Sequence, residues 1–188
     1  MFDEKFLQNL ILLGATALVT GLLVPYILKV VDYRKTMDTK EREATLARQG
    51  KIIESQSTLL DDLTASLWRW RYLCMRVTYY GGQGNGARYD EAEKAYDESF
   101  WDVMNDIRNE ITRTRWLVSE GAYKRLLTFY GSTLVEADMA FSAARRVEDD
   151  LERRKAFIRL NEHVYYQISS EIDEALHDLA NELKLHAA

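Results

Sequence analysis

A predominantly apolar stretch of nineteen residues without a charge, near the start of the chain, constrains its fold more than any other feature. It extends from Leu10 to Leu28 with the sequence LILLGATALVTGLLVPYIL. At about 1.5 Å per residue, a helix of this length spans roughly the 30 Å hydrocarbon core of a bilayer. The residues before it, MFDEK, lack the basic stretch with which a cleaved signal peptide begins. The sequence therefore predicts a single N-terminal transmembrane helix within a membrane segment of residues 1–31.

The distribution of basic residues around this run predicts its orientation. Only Lys5 precedes it, and a cluster of basic residues follows it: Lys29, Arg34, Lys35, Lys40 and Arg42. Because Lys and Arg collect on the cytoplasmic side of a span, we expect residues 32–188 to be cytoplasmic and the protein to be single-pass in the inner membrane. The single cysteine, Cys74, agrees with a reducing compartment.

Small and polar residues occupy two neighbouring strips of the predicted transmembrane helix. The small residues are Gly14, Ala17 and Gly21, and the polar residues are Asn9, Thr16 and Thr20. Small residues let helix backbones approach closely, so the first strip predicts packing between subunits of a homo-oligomer. The polar strip would then line the interior of a ring as the wall of a pore. The alternative is that Gly, Ala and Thr are simply common in membrane helices.

The sequence after the predicted span favours helices. Residues 32–80 contain no proline and one glycine, Gly50, and residues predicted to face a core recur at spacings of three and four. These residues are Ile53, Gln56, Leu60, Leu63, Leu67, Trp70, Cys74 and Val77. This pattern predicts a long amphipathic helix with coiled-coil-like spacing.

Three further helical patterns follow the stretch GGQGNG at positions 81–86. One opens at Asp90, the next covers residues 122–146 and the last covers residues 149–183, and the final two could form one bent helix because neither Gly nor Pro separates them. The predicted inward residues are Tyr96, Phe100, Val103, Ile107, Ile111 and Val118; then Leu126, Leu127, Tyr130, Leu134 and Ala140 or Phe141; then Ile158, Tyr165, Ile168, Ile172, Leu176, Leu179 and Leu183. We therefore expect an all-α antiparallel helical bundle over residues 32–188.

Motifs that would indicate an enzyme or a cofactor are weak. A phosphate-binding loop follows a strand and ends in Gly-Lys-Ser/Thr, whereas GGQGNG follows a helical pattern and ends in Ala87-Arg88, which favours a hinge. Glu174 and His177 have the spacing of half a two-metal site, but the sequence holds no second such pair. We therefore expect no enzymatic activity, catalytic residue, metal or cofactor. The net charge of −5 argues against a nucleic-acid partner.

Aromatic residues alternate with arginines near the end of the first long helical pattern. The aromatic residues are Trp68, Trp70, Tyr72, Tyr79 and Tyr80, and the arginines are Arg69, Arg71 and Arg76. Since nearby residues of a helix point in different directions, Trp68 and Trp70 cannot both face one core. Trp, Tyr and Arg are enriched at the centres of protein interfaces, so this region is the predicted partner-binding site. The alternative is that these rings pack between bundle helices.

Arg159 and His163 form a second pair of interest, four residues apart in the sequence RLNEH. If Asn161 lies in the middle of the buried arc, both side chains fall on the outer face of the helix. There they could contact a second subunit or a phosphate, or stay solvated.

The predicted architecture resembles a known family. One membrane helix, a long amphipathic helix, an all-helical cytoplasmic bundle and the Arg159/His163 pair are together similar to the small pore-forming membrane accessory proteins of RNA-guided CRISPR ribonuclease systems, whose cytoplasmic part is HEPN-like. Helical ribonucleases of the HEPN type place four to six residues between Arg and His, whereas three separate Arg159 from His163. The resemblance therefore implies oligomeric membrane assembly rather than RNA cleavage.

Two hypotheses for function follow. In the first, the chain self-associates into a homo-oligomeric pore or membrane-perturbing effector that acts in antiphage defence. In the second, it is a membrane-anchored scaffold whose bundle recruits a soluble protein partner through the region from Trp68 to Tyr80.

Overall fold

The computed structural model describes residues 20–21 and 24–183 of the chain. Regular structure among these residues is helical, and none of them lies in a strand. The all-α prediction is therefore confirmed for the described part. The chain divides into two compact units, residues 1–52 and residues 53–188.

The described helices are as follows. They are α1 (Val24–Gln83), α2 (Gly86–Thr114), α3 (Glu120–Phe129), α4 (Glu136–Arg145), α5 (Asp150–Glu162) and α6 (Ser169–Glu182). Two π-helical segments, Tyr130–Val135 and His163–Ile168, join α3 to α4 and α5 to α6. The second unit therefore contains four helical rods, because each π-helical segment continues the helix before it.

Polar caps set where three of the helices begin. The side chains of Asn85, Ser119 and Asp149 each accept a hydrogen bond from the backbone N–H three residues further on. Such caps satisfy N–H groups that a helix start leaves unpaired. The cap at Asp149 separates the last two rods, which are therefore two helices and not one bent helix. The second helix begins at Gly86, one turn earlier than the predicted Asp90.

The break at GGQGNG is shorter than predicted. Residues 81–83 still belong to α1, and Gly84, with φ at 67°, lies in the left-handed region that favours glycine. The glycines also let α5 approach closely. A Cβ atom on Gly81 would lie 2.6 Å from Cδ2 of Phe157, and one on Gly84 would overlap the guanidinium of Arg154.

Polar contacts show that neighbouring rods run antiparallel. The residue numbers on one rod rise as those on its neighbour fall. Examples are Asp62–Arg113 at 3.7 Å and Arg76–Glu91 at 3.5 Å between α1 and α2, and Ser119–Glu182 at 3.0 Å and Thr133–Glu171 at 2.5 Å between the last two rods. The second unit is therefore an antiparallel bundle, as short connections between helices require.

The core contains most of the predicted residues. Confirmed as buried are Leu63, Leu67, Trp70, Cys74, Val77, Tyr96, Phe100, Val103, Ile107, Ile111, Leu126, Leu134, Phe141, Ile168, Ile172, Leu179 and Leu183. Half-buried are Gln56, Leu60, Val118, Tyr130 and Leu176, and Ala140 is exposed. The core of this unit thus draws on all four rods.

Besides Ala140, four predicted core residues are exposed. Ile53 is 56% exposed, because it lies more than two turns before Asp62, which pairs with Arg113 at the end of α2. Leu127, Ile158 and Tyr165 are also exposed, and the residues that take the positions of the last two are Phe157 and Val164. These two errors are shifts by one residue, because the π-helical segment His163–Ile168 holds an extra residue, and a strip in phase with Ile168 falls one residue late before it.

Residues 24–52 of α1 differ from the rest of the described chain in burial. Every side chain described there is exposed. Within the described ranges, no helix has both the length and the apolar character of a membrane span. The predicted span at residues 10–28 lies mostly outside those ranges.

Candidate interaction surface

The second half of α1 presents two different faces. Its inner face packs against the other rods, and Leu63, Leu67 and Trp70 are at most 1% exposed. Trp70 was predicted both as a core residue and as part of the partner-binding site. Since its side chain is fully buried, it is not available to a partner, and the core assignment holds.

The outer face of α1 carries aromatic side chains that reach solvent. Tyr72 is 59% exposed and Tyr79 is 49% exposed, while Trp68 is half-buried. These three residues lie at positions i, i+4 and i+11, so they follow one side of the helix. Tyr80 is half-buried instead, with its ring 5.8 Å below the guanidinium of Arg88. The outer face therefore keeps Trp68, Tyr72 and Tyr79 of the predicted set.

Arg71 joins this face to the last rod. Its guanidinium lies 5.0 Å from the ring centre of Trp68 and 5.6 Å from that of Tyr165. Its Nε donates to Oγ of Ser169 at 2.5 Å, and its Nη2 donates to the carbonyl of Tyr165 at 3.4 Å. Arginines over aromatic rings are held by cation–π attraction. The contacts fix Arg71 between two rings and extend the surface from α1 to Tyr165.

Asn161 explains why Tyr165 reaches this position. Its Nδ2 donates to Oγ1 of Thr78 at 2.9 Å and to the carbonyl of Met75 at 3.4 Å. These bonds seat α5 against α1, and the next turn of the rod then places Tyr165 beside Arg71. The apolar pattern of the last rod predicts Tyr165 as a core residue and does not predict this role.

We define the aromatic–arginine surface by the residues that this geometry brings together. They are Trp68, Arg69, Arg71, Tyr72, Arg76, Tyr79 and Tyr165. The guanidinium of Arg76 lies 5.8 Å from the ring centre of Tyr72 and 3.5 Å from Glu91. Residues 63–80 contain three arginines and no acidic residue, so this part of α1 carries net positive charge.

The sequence also missed two other exposed tryptophans. Trp101 on α2 is 71% exposed, and Trp116 after α2 is 84% exposed. A signal for Trp101 was present, because Phe100 takes the core position and the next residue points about 100° away.

Two buried polar groups lie in the core beneath the surface. The hydroxyl of Tyr96 on α2 donates to Oδ1 of Asp138 on α4 at 2.6 Å, and the thiol of Cys74 on α1 is buried in the same core. Burial raises the pKa of Cys74 well above its ordinary value, and burial likewise raises the pKa of Tyr96. Both groups therefore stay protonated in the folded chain.

Arg159 and His163 lie together at a shallow cavity of about 500 Å³ whose other walls are mainly alanine, valine and leucine. Arg159 is exposed, whereas His163 is half-buried rather than fully on the outer face. Nδ1 of His163 lies 3.0 Å from Oε1 of Gln167, whose Nε2 donates to Glu171. The pair thus shares a groove with an apolar lining.

The remaining predicted residues are placed as follows. Thr20 and Gly21 are exposed, and a Cβ atom on Gly21 would meet nothing within 4 Å in the chain. Asn9, Gly14, Thr16 and Ala17 lie outside the described residues. Glu174 and His177 are both exposed, and the described residues hold no group of three or more metal-ligating side chains arranged to bind an ion.

Comparison with protein-family models, with curated proteins and with solved structures finds no match to this chain.

Proposed function

We propose that this chain is a membrane-anchored interaction protein. In this proposal residues 10–28 hold it in the inner membrane, and its helical bundle binds a protein partner through the aromatic–arginine surface. The observation that carries the proposal is the exposure of Tyr72 and Tyr79 on the outer face of α1, where the inner face of the same helix is packed against the other rods. These rings are not needed to fill the core.

The chemistry of the surface favours a protein partner. Trp, Tyr and Arg supply most of the energetically dominant residues of protein interfaces, because they combine large apolar area with hydrogen-bonding groups. Tyrosine has few rotatable bonds, and Arg71 is already held by two rings and two hydrogen bonds. Little side-chain entropy is therefore lost when a partner binds.

A photo-crosslinking experiment in cells tests this proposal. Tyr72 of the full chain is replaced by p-benzoylphenylalanine, and proteins covalently attached after irradiation are identified by mass spectrometry. We expect a discrete adduct. The matched control carries the same photo-reactive residue at Met139, which is 65% exposed on α4. No adduct from position 72, or the same adducts from both positions, would contradict the proposal.

A second hypothesis is the homo-oligomeric pore in antiphage defence, supported by the two residue strips of the predicted span and by the resemblance to pore-forming accessory proteins. Replacing Asn9, Thr16 and Thr20 together by Leu would remove the polar wall while keeping the span apolar. Electrical recording in bilayers tests it. We expect the wild-type chain to conduct and the triple variant not to, and a silent wild type in the presence of its trigger would exclude the pore.

A further inference from the structure

We propose that the partner of the aromatic–arginine surface is a second copy of this chain, bound through the outer face of its α2. The inference rests on the proposed function, since it names the occupant of the same surface. Three observations support it: the uncompensated positive charge of the surface, an acidic face on α2, and an exposed tryptophan on that face. A further reason is the repulsion between arginines that would arise if two aromatic–arginine surfaces faced each other.

The aromatic–arginine surface carries positive charge that nearby groups leave uncompensated. Arg69 is exposed and has no ion-pair partner within the described ranges. Arg71 donates to a hydroxyl and a carbonyl, which are neutral. In the part of the chain that the structure describes, Arg76 alone of the three arginines lies beside a carboxylate, that of Glu91 at 3.5 Å. A partner that offers carboxylates at this surface would gain charge-assisted hydrogen bonds.

The outer face of α2 offers such carboxylates. Glu98, Asp102 and Asp106 are spaced four residues apart, and all three are exposed. Glu98 lies 3.8 Å from Lys94, whereas no ion pair of Asp102 or Asp106 occurs among the residues that the structure describes. We define the acidic face as Glu98, Trp101, Asp102 and Asp106.

Trp101 adds a large apolar side chain to the acidic face. Its side chain is 71% exposed at the edge of the carboxylates, and its ring contacts Phe100 edge-on at 5.2 Å. An exposed tryptophan leaves a large apolar area in water. Docking on Tyr72 and Tyr79 would bury that area while Asp102 and Asp106 approach the arginines.

Charge also sets the geometry of the contact. Two aromatic–arginine surfaces facing each other would bring arginine against arginine, which costs free energy. The favoured contact therefore joins two different faces, one from each copy. Such a heterologous contact leaves one face of each type free on a pair of chains, so assembly continues into a ring or an open chain. A shared membrane anchor would raise the local concentration of copies.

The experiment uses two differently tagged full-length chains in one cell. One carries p-benzoylphenylalanine in place of Tyr72, and the other carries only wild-type residues or charge reversals. We expect an adduct between the two tags whose crosslinked peptide lies in α2 around Trp101. Asp102→Lys with Asp106→Lys in the second chain should lower the adduct yield at least about tenfold.

Matched controls separate a local effect from a loss of folding. Asp173→Lys with Glu174→Lys reverses two exposed charges on α6 and should leave the yield unchanged. Arg69→Glu with Arg76→Glu in the photo-reactive chain should also lower the yield, and combining both reversals should restore most of it. Circular dichroism of each purified variant checks that the helices are intact.

The outcomes distinguish the two proposals. An adduct with another protein, and none with the second copy, would overturn this inference while supporting the proposed function. An adduct with the second copy outside α2, or one insensitive to both charge reversals, would also overturn it. No adduct at all would overturn both.

Discussion

The two faces of α1 between residues 59 and 80 both carry large aromatic residues, in opposite environments. Trp70 on the inner face is fully buried, while Tyr72, two positions later, is 59% exposed. Both are large aromatic residues within one turn of helix. The comparison shows that aromatic character alone does not distinguish a core residue from a surface residue. The angle of the side chain around the helix makes the distinction.

The largest expected effect is on the inner face. Trp70→Ala should lower the free energy of unfolding by about 3–5 kcal/mol, because it removes a fully buried indole and leaves a cavity. Urea unfolding of the full chain in detergent, followed by circular dichroism, measures it. Trp68→Ala is the control on the outer face and should cost less than half as much, since Trp68 is half-buried. Equal losses of unfolding free energy in the two variants would contradict the difference between the inner and outer faces.

The next effect concerns Gly81, which continues the inner face and packs under the ring of Phe157. Gly81→Ala should destabilise the chain by about 1–3 kcal/mol, because the added methyl group would overlap that ring. Gly50→Ala is the control, since a Cβ atom there would meet nothing within 4 Å. In that variant the free energy of unfolding should rise by up to about 1 kcal/mol, because alanine has a higher helix propensity than glycine. Thermal unfolding compares the two, and a loss of stability in both would contradict the packing argument.

A third prediction uses the buried groups behind the inner face. Because burial raises the pKa of Cys74, the folded chain keeps the thiol proton at a pH where the unfolded chain loses it. Stability should therefore fall as pH rises above the ordinary thiol value of about 8.5, by up to about 1.4 kcal/mol per pH unit. Because burial also raises the pKa of Tyr96, a similar loss of stability should follow above the ordinary tyrosine pKa of about 10.

Unfolding free energies measured at pH 8, 9 and 10 check this dependence. Cys74→Ala should be less stable at every pH but should lose less between pH 8 and pH 10 than the wild type. The same slope in both chains would show that the thiol does not contribute.

The smallest effect on stability is expected on the outer face. Tyr72→Ser with Tyr79→Ser should change the free energy of unfolding by no more than about 0.5 kcal/mol per residue, as is usual for surface positions. The same variant should lose the partner adduct formed by p-benzoylphenylalanine placed at Tyr165. A stable double variant that keeps its adduct would remove these tyrosines from the interaction surface.

The sequence predicted the regular helices best. Along α2 the apolar spacing identified Tyr96, Phe100, Val103, Ile107 and Ile111, and all five are buried. Periodicity is reliable there because α2 is one continuous helix that packs along its length. In the last rod the predicted strip lies one residue away from the buried positions at Ile158 and Tyr165. A fixed spacing accumulates error where a helix also changes its hydrogen-bonding pattern.

The aromatic–arginine surface was predictable from the sequence only in part. Residue type pointed to Tyr72 and Tyr79, but Trp70 matched the same description and is buried. The contribution of Tyr165 depends on how Asn161 seats α5 against α1, which is a contact between distant parts of the chain. Local sequence patterns do not contain that information.

The two π-helical segments, Tyr130–Val135 and His163–Ile168, have a consequence for length variation in this fold. A π-helical turn holds one more residue than an α-helical turn, so deleting a residue within it restores an ordinary helix and leaves the flanking helices facing as before. The same deletion in α2 would rotate every later side chain by about 100° and turn Ile111 away from the core. A shortened version of this bundle would therefore be engineered by removing one residue from each π-helical segment.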